Sequence, residues 1–327
     1  MKSVLWLTLS VCAVLPLQAQ LVRGERPQKG IFQLNGKVKS VKETGYIIEI
    51  KNGDTTERKG RQSLADCDFL VKFNAETQKT EHLFYVPSGK VKDHYKFKYD
   101  AAGNMVNEFV TKRFWKWKNT TCDSGTYYRS VNYFYDAAGK LQKSEAQTSD
   151  TITDKPKHFY TEIYTYDSAG RKTGLKSSTE ERVINRSEYK YDKAGNLAEE
   201  KKYQFDSSLT DVNTYSYDKD QNCTEVKEAM HNGFLRSRGI FKYSGTKYAT
   251  EESWYYNEEP LDCRNVYKRD EHNNIVETRH YESEDTLHSI TVNRYEYDKY
   301  GNWTKNTILI NGKPKFVLYR TIEYYFE

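Results

Sequence analysis

A nine-residue stretch, Tyr189-Lys-Tyr-Asp-Lys-Ala-Gly-Asn-Leu197, restricts what this chain can become, because it recurs. Aligned on the Tyr before the Asp, further copies run Phe97–Asn104, Tyr133–Lys140, Tyr164–Arg171, Tyr215–Asn222 and Tyr295–Asn302. Weaker copies centre on Phe73, Tyr243 and Arg269, and a half-copy ends at Tyr324. From Tyr191 the anchor advances by 26, 26, 26 and 28 residues. Chance enrichment in tyrosine does not produce three equal intervals. A fixed period of this size marks a repeat architecture.

Each unit reads as a hairpin. Tyr189 and Tyr191 flank Lys190, the two-residue alternation of a half-buried strand. Asp-x-x-Gly-Asn suits a tight loop in which Asp opens a type I turn and Gly takes the left-handed position. The structural residues are then Tyr99, Asp100 and Gly103; Tyr135, Asp136 and Gly139; Tyr166, Asp167 and Gly170; Tyr191, Asp192 and Gly195; Tyr217 and Asp218; and Tyr297, Asp298 and Gly301. Three copies lack the Gly, at Gln221, Lys247 and Asn273. An apolar residue restarts the return strand (Met105, Leu141, Leu197, Ile275, Trp303), so one face is aromatic and the other Lys/Glu/Thr. The expectation is an all-β chain, an array of antiparallel hairpins of about 26 residues rolled into a curled or spiral sheet.

The Tyr-x-Tyr-Asp-x-x-Gly-Asn motif resembles the YD repeat of the RHS family of bacterial surface and toxin proteins, found also in teneurins. The likeness spans about residues 69–327, and Leu34–Val41 resembles the opening of smaller secreted YD-repeat-like proteins. The resemblance implies a spiral of hairpins. In RHS proteins long arrays form a shell around a toxin; with about ten units, this chain looks too short for that.

At the N-terminus, Lys2, an apolar run from Val4 to Leu17 and Ala19 fit a secretory signal peptide cut after residue 19. The run is short for a membrane span, and Val11 before Cys12 disfavours a lipoprotein signal. Residues 20–60 read as a leader with capping strands turning at Asn52-Gly53, and 61–327 as one repeat domain. The location expected is periplasmic, outer-surface or secreted, with no membrane span after cleavage. A mean hydropathy of −0.91 is offset by 14% aromatic residues, too many for disorder. The net charge of +5 is spread among interleaved signs, which argues against nucleic acid as a partner. Cys67, Cys122, Cys223 and Cys263 allow two disulfides in three pairings; a buried free thiol at Cys223 is the competing reading, because it fills the apolar slot.

Catalytic signatures are missing: the seven His are scattered, and no Ser or Cys sits in a nucleophile turn. Asp218–Asn222 lacks the Gly and terminal acid of a calcium loop. No cofactor or metal is expected. One stretch suggests a binding surface: Arg113-Phe-Trp115-Lys-Trp117 offers a Trp platform for a sugar or protein if it faces outward, and extends the aromatic core if it does not. An outer-membrane barrel is disfavoured by polar residues four places before the anchors, among them Glu162, Ser187, Asn213, Asn265 and Arg320. The leading expectation is an exported, non-enzymatic binding or structural protein with an unknown protein or glycan partner. A carbohydrate-binding surface protein is the first alternative, and a periplasmic enzyme the second.

Overall fold

A computed structural model describes residues 34–52, 54–61, 67–118, 121–150, 158–257, 260–283 and 286–325. They form strands and connecting turns, without helix. The strands are β1 (Val38–Lys51), β2 (Asp54–Lys59), β3 (Asp68–Phe73), β4 (Lys79–Tyr85), β5 (Val91–Tyr99), β6 (Met105–Lys118) and β7 (Thr121–Tyr135). Next come β8 (Leu141–Asp150), β9 (His158–Tyr166), β10 (Lys172–Ser178), β11 (Val183–Tyr191), β12 (Leu197–Gln204), β13 (Leu209–Tyr217) and β14 (Cys223–Met230). The last are β15 (Leu235–Tyr243), β16 (Ala249–Tyr256), β17 (Leu261–Arg269), β18 (Ile275–Tyr281), β19 (Leu287–Tyr297), β20 (Trp303–Ile310) and β21 (Lys313–Tyr324).

From β3 to β21 each strand pairs antiparallel with the next. The sheet does not spiral open as the sequence suggested; it closes. β1 pairs on one side with β21 (Val41↔Ile322) and on the other with β3 (Val41↔Val71), giving a barrel of 20 strands. An open sheet of this length would leave two edges of unpaired N–H and C=O groups, and β1 satisfies both. The strand read as part of a cap is therefore a stave of the ring. Its second half pairs with β2 (Ile48↔Glu57), and all six β2 residues are exposed, so this hairpin projects from the rim.

Alternation decides which face is inward. In β17, Leu261, Cys263 and Asn265 are buried while Asp262 and Lys268 are exposed, and Tyr267 shares the buried face. The repeated tyrosines therefore line the interior. Outside, the residue before each anchor faces one on the return strand, and at five anchors the two form an ion pair: Lys72–Glu81, Lys190–Glu199, Lys242–Glu251, Lys268–Glu277 and Lys305–Glu296, at 2.6–3.2 Å. Such pairs add little stability, and they set charge along the outer face of these strands. The polar residues four places before the anchors point into the barrel, so they say nothing about lipid.

The repeat motif builds one rim. In the turn after Tyr191, Asn196 N–H donates to Asp192 Oδ1 at 2.8 Å and Gly195 N–H to the Asp192 carbonyl at 3.1 Å. Gly195 has φ +88°, and a Cβ there would meet only Arg171 Nη1 at 3.8 Å, so the restriction is conformational. Where Gly is missing, Gln221 and Asn273 adopt φ of 62° and 64°, keeping the turn at some strain. The anchor hydroxyls reach back one unit: Tyr99, Tyr135, Tyr166, Tyr191 and Tyr243 donate to the carbonyls of Lys79, Met105, Leu141, Lys172 and Cys223 at 2.6–2.9 Å. Tyr297 and Tyr324 bond instead to Asp270 and Asp298. Tyr at this position is thus a strap between neighbouring hairpins.

Cys223 is a free thiol, and the Cys122 side chain lies outside the described residues. Cys223 is buried in the apolar slot, and burial pushes its thiol up to about 11. His82 is buried between Phe69, Phe84 and Tyr95; burial first, then Lys79, lowers it to about 4.

Gly195→Val is expected to cost about 1–2 kcal/mol and Gln221→Gly to raise the melting temperature slightly, both read by thermal unfolding. His82 binds its proton less readily folded than unfolded. Its stability contribution is therefore complete above pH 6.5 and disappears as pH falls toward 4. The loss is about 3 kcal/mol. His82→Phe should flatten that part of the stability–pH curve measured by urea unfolding.

Candidate functional site: the barrel lumen

Eight strands enclose a space that side chains fill, and 16–18 leave an aqueous channel. Twenty strands at about 4.8 Å each give a perimeter of about 96 Å, too wide for one inward layer to fill. The ordering contacts accordingly run along the wall. Met105, Val131, Tyr133 and Ala146 form one cluster on β6–β8, and Phe241, Trp254 and Cys263 another on β15–β17. Of the inward tyrosines described, only Tyr133 and Tyr164 are less than a tenth exposed. The rest are half-buried.

Beside these clusters, β9–β15 line a cavity of about 1050 Å³. Tyr160 and Glu162 enter it from β9, Tyr189 from β11, Glu200 and Lys202 from β12, and Asp211 from β13. The register explains the convergence, since Tyr189 lies opposite Glu200, and Glu200 opposite Asn213. Burial, then the Glu200 charge, raises the phenols of Tyr189 and Tyr215, which stay protonated as donors. Lys172 Nζ stands 4.2 Å from the Tyr189 ring centre.

Inward carboxylates recur around this wall, held mainly by neutral donors. Glu162 accepts from Ser144 Oγ at 3.0 Å and Tyr164 OH at 2.5 Å. Glu200 accepts from Asn213 Nδ2 at 3.1 Å, with Lys202 Nζ 3.7 Å away. Glu228 accepts from Ser237 Oγ at 3.0 Å, and Glu252 from Asn265 Nδ2 at 3.0 Å and Tyr267 OH at 2.5 Å. Hydroxyl and amide donors fix the orientation of a carboxylate and leave it lone pairs for further donors. Among the described residues, no three His, Cys, Asp or Glu groups converge as metal ligands.

A different buried cluster seals the seam. Arg61 bridges Glu43 Oε1 at 2.9 Å and Asp68 Oδ1 at 3.0 Å; Arg320 bonds Glu43 Oε2 at 2.8 Å and covers the Trp303 ring at 3.5 Å. It joins β1, β3, β20 and β21, so its role is closure.

Of the expected platform, Arg113 is exposed on β6, beyond the last β5–β6 pair, Asp93↔Lys112. Trp115 and Trp117 lie opposite Ser124 and Cys122 in the extended β6–β7 hairpin, and their side chains are outside the described residues. Sequence reasoning passed over the lumenal carboxylates. Their signal was parity: Glu162 stands an even number of residues from Tyr164, and Asn213, the donor to Glu200, an even number from Tyr215, hence on the same face as the tyrosines.

No family model matches the chain, and no curated protein matches it. Among solved structures, a porin-like protein from Bacteroides uniformis aligns over 66% of this chain and 95% of its own at 13% identity, with a TM-score of 0.36. A porin-like protein from Bacteroides vulgatus covers 88% and 98% at 9% identity, with a TM-score of 0.22. The Tc holotoxin pore of Photorhabdus luminescens covers 81% of this chain at 8% identity with a TM-score of 0.29; the match spans 21% of the toxin chain. Likenesses this distant carry no argument about what the protein does.

Tyr191→Phe removes the donor to the Lys172 carbonyl, 2.7 Å away, and is expected to cost about 1 kcal/mol in urea unfolding while leaving the lumen intact.

Proposed function

We propose that the chain is an exported, non-enzymatic binding barrel that takes a polyhydroxylated ligand, of the class of a neutral oligosaccharide, in its lumen. The signal-like N-terminus supports export, and the charged outer wall supports a barrel that works in water. One observation carries the ligand class: half-buried tyrosines alternate with inward carboxylates and amides on β9–β14. A sugar ring offers apolar C–H faces to aromatic rings and hydroxyl donors to carboxylates at its edge. The Tyr160, Tyr189, Glu162 and Glu200 wall presents both.

The Tyr-Asp turns keep the resemblance to YD repeats as part of this proposal, with the array closed on itself. Titrating the folded chain with a panel of neutral oligosaccharides, followed by calorimetry, tests the reading. One member should bind, and Tyr189→Ala and Glu200→Gln should each weaken it tenfold or more, with unchanged circular dichroism. Failure of every neutral sugar to bind, or binding indifferent to both substitutions, would overturn it.

A further inference from the structure

The outside of the barrel is not uniform. On the staves β11–β20 outward charges are matched: Lys190 and Lys201 with Glu199, Lys227 and Arg238 with Glu225, Lys268 and Arg279 with Glu277. Across β6–β10 the matching thins. Lys96 on β5 still faces Glu81 of β4, but Arg113, Lys143 and Lys176 occupy outward strand positions on β6–β10, and among the described outward residues of those strands the one acid is Glu145, paired with Lys143 at 2.8 Å. Exposed apolar side chains collect on the same wall: Phe109, Phe134, Phe159 and Ile163 are 37–47% exposed.

Register orders these residues. Phe134 lies opposite Lys143, Lys143 opposite Ile163, and Ile163 opposite Lys176, so apolar and cationic side chains alternate in a row perpendicular to β7–β10. Neighbouring strands stand about 4.8 Å apart, which sets Lys143 and Lys176 about 10 Å apart. We infer that this wall docks an acidic polysaccharide bearing one carboxylate or sulfate per disaccharide, its charges meeting the row of lysines and its sugar faces lying on Phe134 and Ile163.

Charge complementarity selects an anionic partner, and pitch narrows it. A nucleic-acid strand carries a phosphate about every 3.4 Å, far denser than Lys143 and Lys176, which stand two staves apart; Arg186, next in register after Lys176, is turned to Glu188 at 3.5 Å. A flat membrane would meet a convex barrel along one narrow line and use little of a row that runs around the curve. The Phe134 ring, with Lys143 Nζ 4.6 Å from its centre, pairs an aromatic face with a cation, the combination an acidic sugar needs. This inference is independent of the lumenal reading, because the two sites lie on opposite faces of the wall.

Calorimetry of the full chain with hyaluronan oligomers, which carry one carboxylate per disaccharide, tests it beside neutral dextran, polyglutamate and phosphatidylglycerol vesicles. Hyaluronan should bind, weaken with salt, and lose at least tenfold in affinity in Lys143→Glu/Lys176→Glu and in Phe134→Ser. Lys143→Gln/Lys176→Gln, a milder pair, should lose several-fold with an unchanged melting temperature. Lys242→Glu on the matched wall and Glu200→Gln in the lumen should leave it unaltered. No hyaluronan binding by the folded chain, equal binding of dextran, survival of binding in both lysine pairs, or preference for polyglutamate or vesicles would overturn the inference.

Discussion

Backbone pairing around a complete ring is the constraint on which the rest depends. Hairpins added one after another satisfy each other and always leave two edges over. β1 resolves this by matching Val41 to Val71 on one side and to Ile322 on the other. The Glu43, Arg61, Asp68 and Arg320 cluster fixes its register at the seam, where a charge left without its partners would be costly. With closure come an inside and an outside, and with them the division between tyrosines and lysines.

The repeat motif serves closure locally. Asp accepts from the turn backbone, the left-handed residue reverses the chain, and the anchor hydroxyl spans to the preceding hairpin. Each unit is thereby tied to its predecessor twice, by the strand ladder and by the tyrosine. This explains how a chain with few large aliphatic side chains holds a wide wall: it uses ring faces and short polar contacts along the sheet, without a central packed core.

Much of the fold was legible in the residues. The 26-residue period located the hairpins, and alternation around Tyr189 and Tyr191 separated the faces. Closure was not legible, because it depends on the match between Val38–Glu43 and two strands remote in sequence, which no local pattern encodes. The lumenal site was half legible. Glu162 and Asn213 stood out as polar residues near the anchors, but their meaning changes with the surface they face: lipid for an outward residue, a hydrated interior for an inward one. The outer row Phe134–Lys143–Ile163–Lys176 was hidden for a related reason, since its members come from four strands and only register aligns them.

The seam has a temporal side. Ser40 and Glu323, hydrogen-bonded across it, are 283 residues apart in the chain. Contacts so distant form late and slowly, because the loop between them must be ordered first. The nascent chain can build its hairpins in sequence, yet β1 must keep one edge vacant until the C-terminal strand has been made. A polypeptide assembled this way is a half-open ribbon for most of its synthesis and becomes a vessel only with its last strand.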